Sequence, residues 1–461
     1  MKVAIIGTGH VGVVTCVAVA SMGHEAVGFD VDSEKISLLQ RAIAPFHEPG
    51  LNEALARELS AGRLAFTDAP AEAMHAAAIV FICVGTPAGP DGEANLLAME
   101  RSATAVAHHA RDGVVVVEKS TVPAGTADRL RFVLAREGDG RRFNVACNPE
   151  FLREGTALSD ALEPDRILIG VESERAAILL RRLYEPLTRK GIPLIETDLR
   201  TAELAKAASN AFLALKISYA NALARICERL GGDIRTVTDV MGSDARIGRS
   251  FLAAGLGYGG YCFPKDVVIL ERLAARVGYD FGLLREVDRV NHESVEAIAA
   301  KVEDALWILD EKRIAVFGLA FKPGTDDVRL SPSLSLARRL LQSGASVVGY
   351  DPLASANAKD ELPELEIAPD AYSAAADAHC VVIATDWDEF RDLDLAALRD
   401  VMAYPLVVDG RNVFDSTEMR EAGFSYYPTG QAPVLIDPSE TWGVDISRGR
   451  IGVKPGSGWP G

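Results

Sequence analysis

The chain has 461 residues, too many for one hydrophobic core, so two or three domains are expected before any motif is read. Nearly half of it is apolar, yet no uncharged apolar run approaches the roughly 18 to 20 residues of a membrane helix, so a globular chain with no membrane span is expected. A formal charge of -17 argues against nucleic acid as a partner, because phosphate backbones are held by basic surfaces.

The opening "MKVAIIGTGHVG" carries a lysine and an apolar run, as signal peptides do, but the run is four residues long and breaks on glycines. It reads as strand and turn. Through "KVAIIGTGHVGVVTCVAVASMGHEAVGFDVD" the chain gives a strand, a glycine turn, an apolar helix and a second strand ending at Asp30, which is one βαβ unit. Gly7, Gly9 and Gly12 follow the strand and open the helix, where backbone N–H groups can meet a pyrophosphate at the positive helix end. Asp30 stands where a carboxylate accepts from the adenosine ribose 2′-OH and would repel the extra phosphate of NADP, so NAD is the expected cofactor. "AIVFICVGTP" (78–87) and "GVVVVEKSTVP" (113–123) are apolar throughout, as strands of a parallel sheet buried on both faces are. A doubly wound α/β domain follows.

In "NPEFLREG" (148–155), Pro149 stands where a helix can begin, and Glu150 and Glu154 then share a face. Two such carboxylates suit base work or sugar hydroxyls, but glutamates at exposed helix starts are equally common, so the pair alone decides nothing. "DLRTAELAKAASNAFLALKISYANALARICERLGGD" predicts a long helix capped by Asp198 and ended by Gly231 and Gly232. On it Glu203, Lys206 and Asn210 share a face within apolar surroundings, and a buried lysine is expensive unless it has a task. The alternative is an ordinary Glu203–Lys206 pair on an exposed stripe.

"GYGGYCFPKD" places Cys262 just outside the positive end of a helix whose first turn holds Pro264, with Lys265 one turn on. Both features are expected to lower the thiol pKa, and the glycines to let a ligand approach the backbone. A thiolate beside NAD can add to an aldehyde, hold the adduct while hydride leaves, and yield a thioester that water cleaves, taking an alcohol to an acid. Cys16, Cys83, Cys147, Cys227 and Cys380 are scattered with no CxxC pair, so disulfides and a metal site are not expected and a cytoplasmic home is.

The same order of elements returns in "RIAVFGLAFK" (313–322), "ASVVGYDP" (345–352), "CVVIATDWDEF" (380–390) and "PLVVDGRNVF" (405–414), with "AVGFD" answered by "VVGYD". A second, related nucleotide-binding domain is predicted. It lacks GxGxxG, so a second dinucleotide is not expected. Lys322, Arg329 and Arg411 near strand ends suit an anionic nucleotide moiety, unless they are solvated surface charges. The Gly- and Pro-rich end reads as a flexible tail.

Taken together, "GTGHVG", "PFHEPGL", "VGTP", "KSTVPAGT", "NPEFLREGTA", "PDRILIG", "ELAKAASNAFLALKIS", "GYGGYCFPKD", "FKPGTDDVRLSP" and "DGRN" resemble, in order and up to about residue 430, the UDP-glucose 6-dehydrogenase family within the UDP-glucose/GDP-mannose dehydrogenases. The resemblance implies an α/β fold of two Rossmann-like doubly wound domains joined by a long central helix, with a small helical dimerisation domain. Its parts would be 1–197 for NAD, 198–305 carrying Cys262, 306–435 for the nucleotide sugar, and 436–461 as tail. It also implies a homodimer or higher oligomer, and oxidation of the C6 alcohol of UDP-glucose to UDP-glucuronate by two NAD at one site.

Carried over by resemblance, Cys262 is the nucleophile, Lys206 steadies an oxyanion or takes a proton, and Asn210 and Asp266 are its polar partners. Thr121 and Glu150 handle water. For NAD the matching positions are Val11, Asp30, Lys35, Thr86, Thr121, Glu154, Lys265 and Arg329. For the nucleotide sugar they are Glu150, Phe151, Leu152, Arg153, Glu154, Lys206, Asn210, Phe251, Leu252, Ala253, Ala254, Gly255, Gly259, Lys322 and Arg411, with Arg246 reaching a neighbouring subunit's site. "PDRILIG" and "REGTA" look closer to the UDP-glucose branch than to GDP-mannose or UDP-N-acetylhexosamine dehydrogenases. Two other functions are weighed: a two-electron dehydrogenase with a structural Cys262, and a non-catalytic NAD sensor with Cys262 as redox switch.

Overall fold

The computed structural model describes residues 1–87, 89 and 92–436, so the predicted tail from 437 onward lies outside the described residues. The chain divides into two compact units, the first made of Met1–Ala214 and Tyr261–Arg285, the second of Leu215–Gly260 and Glu286 onward.

The first unit is built on β1 (Lys2–Ile6), β2 (Glu25–Phe29), β3 (Leu64–Thr67), β4 (Ile79–Ile82), β5 (Val115–Glu118), β6 (Asn144–Cys147), β7 (Ile167–Val171) and β8 (Leu194–Thr197). They form one sheet in the order β3-β2-β1-β4-β5-β6-β7-β8, parallel except where β6 meets β7. Val3, Ile5, Ile79, Phe81, Val115 and Val117 pack on one face; Ala4, Ile6, Val80, Ile82 and Val116 pack on the other. Burial on both faces is why these strands read as unbroken apolar runs. Chain order reverses between β1 and β4, the switch point at whose carboxyl ends doubly wound sheets bind ligands.

The second unit repeats the plan with β9 (Arg313–Phe317), β10 (Ser346–Tyr350), β11 (Glu366–Ile367), β12 (Cys380–Ile383), β13 (Leu406–Asp409) and β14 (Ser425–Pro428). Its order is β11-β10-β9-β12-β13-β14 and every pair is parallel. The predicted correspondence of "AVGFD" and "VVGYD" is seen in β2 and β10, each lying beside the first strand of its own sheet.

Between the sheets in sequence runs the 32-residue helix Leu199–Leu230. Asp198 accepts from the Thr201 N–H at 2.9 Å, and the helix stops before Gly231, whose φ of 71° would strain any other residue. Both boundaries match the sequence signals.

Candidate active site

Leaving β1, Gly7 takes a φ of 88°, and a Cβ on it would lie 2.8 Å from the carbonyl oxygen of Cys83. A Cβ on Gly12 would lie 1.8 Å from the Gly7 oxygen, so the protein's own packing demands both glycines. Gly9 differs: it caps the helix His10–Ser21, and a Cβ there would meet nothing within 4 Å. The first N–H groups of that helix therefore look into open space fit for a pyrophosphate. Asp30 accepts from the Thr8 N–H at 2.8 Å and the Thr8 hydroxyl at 2.9 Å, and lies 3.6 Å from Lys35 Nζ. Burial opposes its charge, but these partners hold it below the usual carboxylate range. Gly7, Gly9, Asp30, Lys35 and Gly85 border a cavity of about 720 Å³, in the size range of small-ligand sites. Thr86 donates to the Thr121 carbonyl at 2.7 Å, and Val11 is half-buried behind the turn. This donor set and space fit NAD.

Elsewhere in the same unit a cluster of charged side chains is buried. Lys206 Nζ lies 3.1 Å from Glu150 Oε1, and the other Glu150 oxygen accepts from the Leu152 N–H at 2.6 Å. Asn210 donates to Asp266 Oδ2 at 2.6 Å, while Lys265 Nζ sits 2.7 Å from Asp266 Oδ1. Burial works against the ammonium of Lys206, but the negative charges around it, Glu150 first and Asp266 after it, raise its pKa above the ordinary lysine value. Burial also works against the Glu150 carboxylate, which Lys206 nevertheless pulls below its ordinary range. An ammonium fixed in a dry site can stabilise an oxyanion that forms when sulfur adds to a carbonyl.

Two expectations and one alternative are corrected here. The helix expected at Pro149 does not form: residues 150–153 are irregular and the next helix is Ala157–Leu162, so Glu150 is buried by its pairing with Lys206 and not by sharing a face with Glu154. Glu203 does not pair with Lys206; its carboxylate accepts from the N–H groups of Gly125 and Ala127, at the start of the helix Thr126–Glu137. The third concerns the thiol. Cys262 is the first residue of the helix Cys262–Arg276 and half-buried, and its pKa is pushed up to about 12. Loss of hydration is the main cause, and the carboxylates of Glu150 and Asp266 outweigh part of the help from Lys206 and Lys265. The resting sulfur is a thiol.

The glycines before it are also explained differently. A Cβ on Gly257 would meet Asn291 Oδ1 at 2.4 Å, and one on Gly259 the Leu330 oxygen at 2.4 Å, so packing within the protein already requires these glycines. Within the second unit the segment Phe251–Gly255 borders Arg411: a Cβ on Gly255 would lie 3.1 Å from Arg411 Cδ. The Arg411 guanidinium donates to the Ala384 carbonyl at 2.9 Å and is buried enough that its pKa falls. Leu252 and Ala254 are buried, Phe251 is half-buried with a φ of 65°, and Ala253 is exposed. Arg329 pairs with Asp327 at 2.6 Å, Lys322 Nζ stands 5.8 Å from the Phe321 ring centre, and Arg246 is almost wholly exposed beside Asp244. Arg153, on the surface of the first unit, pairs with Asp160, and Glu154 is half-buried.

Sequence reasoning missed a third buried lysine. Lys119 Nζ donates to Asn148 Oδ1 at 3.0 Å, the Tyr184 hydroxyl donates to the same oxygen, and the Lys119 charge also helps keep Glu150 ionised. A lysine directly after the buried strand β5 was the signal. It also missed Arg166, whose guanidinium lies 3.8 Å from the Phe151 ring centre, with a longer contact from Lys206 at 5.4 Å. Among the described residues no group of His, Cys, Asp and Glu is arranged to hold a metal, and no helix is long and apolar enough to cross a membrane.

Known proteins share both the sequence and this architecture. Residues 1–188 match the NAD binding domain of the UDP-glucose/GDP-mannose dehydrogenase family, 200–293 its central domain and 315–416 its UDP binding domain. The UDP-glucose 6-dehydrogenase YwqF of Bacillus subtilis is 42% identical over 437 residues, 94% of this chain and 99% of that protein. A UDP-glucose 6-dehydrogenase of Pseudomonas aeruginosa is 42% identical over 444 residues, covering 94% and 98%. The solved structure of a UDP-glucose dehydrogenase from the archaeon Pyrobaculum islandicum has a TM-score of 0.88 at 41% identity, covering 94% of this chain and 98% of that one. In motif order, domain order and fold, the chain belongs to the UDP-glucose/GDP-mannose dehydrogenase family.

Proposed function

We propose that the protein oxidises the C6 alcohol of UDP-glucose to the carboxylate of UDP-glucuronate, using two NAD per sugar and Cys262 as nucleophile. The observation that carries this is the buried cluster of Lys206, Glu150, Asn210 and Asp266 around a half-buried thiol, in the unit that also holds the dinucleotide turn. NAD, when bound, accepts the hydride at each oxidation. The rest is supplied by the chain.

As the C6 alcohol becomes an aldehyde, its hydroxyl proton passes to water and Lys206 offers a fixed positive charge to the oxygen left behind. Sulfur then adds to the aldehyde carbon: a C–S bond forms, the S–H bond breaks, and the proton ends on the former carbonyl oxygen. This step creates no net charge, so a thiol that resists ionisation can still perform it, with Lys206 steadying the oxygen in passing. Loss of the second hydride and of that hydroxyl proton leaves a thioester on Cys262. Water attacks it, the C–S bond breaks, and the thiol is restored. Glu150, ionised and flanked by Lys206, and Thr121 are assigned to orient that water.

The cofactor side is assigned to the Gly7–Gly12 turn with Asp30, Lys35 and Thr86. The nucleotide side is assigned to Phe251–Gly255 with Lys322 and Arg411, and the division into 1–197, 198–305 and 306–435 is supported by the boundaries of the three matched domains. A homodimer is supported by an exposed apolar stripe on the long helix, where Leu204, Phe212, Tyr219, Ile226 and Leu230 recur on one face. Arg246, exposed and paired with Asp244, would have to exchange that partner to reach a second copy. Six unpaired cysteines support a cytoplasmic location.

The test is NADH yield per acid formed, with UDP-glucose, GDP-mannose and UDP-N-acetylhexosamines offered in turn. Two NADH per UDP-glucuronate is expected, with UDP-glucose preferred. Cys262→Ala should end acid formation; full turnover by that variant would remove the thioester from the scheme. Sedimentation of Phe212→Glu should show monomers if the stripe is the dimer seam.

A further inference from the structure

Glu48 is a carboxylate with 1% of its side chain exposed, set in the loop "PFHEPGL" and outside every role assigned above. Its Oε2 accepts from two directions. His10 Nε2 lies 2.9 Å away, and the Gly155 N–H donates at 2.8 Å. Its Oε1 accepts from the Leu158 N–H at 3.4 Å. His10 is the first residue of the helix whose N–H groups face the pyrophosphate space, and its ring stacks on Phe46 with centres 4.3 Å apart. Gly155 directly follows Glu154, and closes the irregular segment that begins at Glu150. One buried charge thus ties together two loops that are about 145 residues apart in sequence (10 against 155).

Burial alone would raise the Glu48 pKa; the bond from His10 and those from Gly155 and Leu158 bring it below the ordinary range, so Glu48 meets its donors as a carboxylate. A buried carboxylate with three donors from two separate segments is costly to keep unless both segments stay in place.

We propose that Glu48 is a positioning residue that locks the dinucleotide-binding turn to the sugar-side segment 150–155, so that both keep one register while the first cofactor leaves and the second enters. A four-electron oxidation at one site needs this, because the aldehyde must stay in place during the exchange. The inference rests on the assignment of Glu150 and its segment to the sugar.

The test uses the full chain and the variants His10→Phe, Glu48→Gln and the two combined. His10→Phe keeps a ring to stack on Phe46 but donates nothing to Glu48. Steady-state kinetics with both substrates varied should show His10→Phe raising the KM for UDP-glucose as well as that for NAD by about ten-fold, the scale of one charge-assisted hydrogen bond. Free aldehyde should become trappable by hydroxylamine, and NADH per acid should exceed two. The combined variant should be no worse than Glu48→Gln alone, since both break one link. A His10→Phe enzyme altered only in its KM for NAD, or effects of the two substitutions that multiply, would overturn the proposal. If Glu150→Ala left the UDP-glucose KM and acid formation unchanged, the assignment of that segment would fall, whereas non-multiplying His10 and Glu48 effects would still report the link.

Discussion

Lys206 and Glu150 are each other's principal counter-charge: their side chains are 4% and 6% exposed and their charged atoms 3.1 Å apart. Neither could be kept ionised at that depth alone, and each is held so by the other. The pair therefore carries both stability and chemistry. Lys206→Ala should cost roughly 3–5 kcal/mol, because it strands a buried carboxylate, whereas the double change with Glu150→Ala should cost less than the two single changes added. Denaturant titration of the three variants measures this. Additive losses would mean that the two groups do not depend on one another.

The thiol should behave as its surroundings dictate. With a pKa pushed up to about 12, Cys262 is overwhelmingly thiol at pH 8, so alkylation by iodoacetamide should be slow and rise about ten-fold per pH unit with no plateau below pH 10. Removing a nearby negative charge must favour the anion. Asp266→Asn and Glu150→Gln should therefore speed alkylation at fixed pH, and Lys206→Met should slow it. A plateau near pH 7 would show instead that the helix end dominates, as the sequence alone led one to expect.

Much of the fold and part of the site were legible in the sequence. The parallel strands announced themselves because burial on both faces leaves their central residues almost wholly apolar, and the long helix did so because Asp198 and Gly231 mark its ends chemically. Cys262, Lys206 and Asn210 stood out as polar groups in apolar or glycine-rich surroundings. What could not be read was the balance of charge around them. Helix position and Lys265 argue for a thiolate, but Glu150 lies more than a hundred residues away in sequence, and only the fold reveals that it faces the sulfur. The alternative pairing of Glu203 with Lys206 fails for the same reason: the spacing is that of a helix pair, yet the start of another helix offers Glu203 two N–H donors. Glu48 lay in full view in "PFHEPGL", but a carboxylate among prolines and glycines looks like a surface turn until its donors are known.

Glu118 gives a pH dependence whose sign is fixed. It is fully buried at the end of β5, neither oxygen has a hydrogen-bond partner among the described residues, and burial first, then the nearby Glu203, raises its pKa well above the ordinary 4.5. The folded chain then keeps a proton that the unfolded chain releases. The stabilising contribution is complete below about pH 4.5 and is lost as pH rises toward the folded-state pKa, by up to about 1.4 kcal/mol per pH unit. Glu118→Gln should flatten that slope and raise the urea midpoint at pH 8 relative to the parent. Parallel midpoint curves for the two proteins between about pH 5 and 8 would show that Glu118 does not titrate there.

Gly9 and Gly12 separate what the dinucleotide turn needs for folding from what it needs for binding. A methyl on Gly12 would sit 1.8 Å from the Gly7 oxygen, closer than any contact allows, so Gly12→Ala must push the helix His10–Ser21 off β1 and should cost roughly 1–3 kcal/mol or more. A methyl on Gly9 meets no protein atom within 4 Å, and the φ of -75° there suits alanine, so Gly9→Ala should leave stability within roughly 0.5 kcal/mol. That methyl would nonetheless occupy the space into which the first helical N–H groups point. The KM for NAD should then rise by about ten-fold or more, with the urea midpoint unmoved, because a pyrophosphate displaced from those donors loses at least one charge-assisted hydrogen bond. Steady-state kinetics and urea titration of the same Gly9→Ala preparation decide the matter: an unchanged KM for NAD would place the pyrophosphate somewhere other than this helix end.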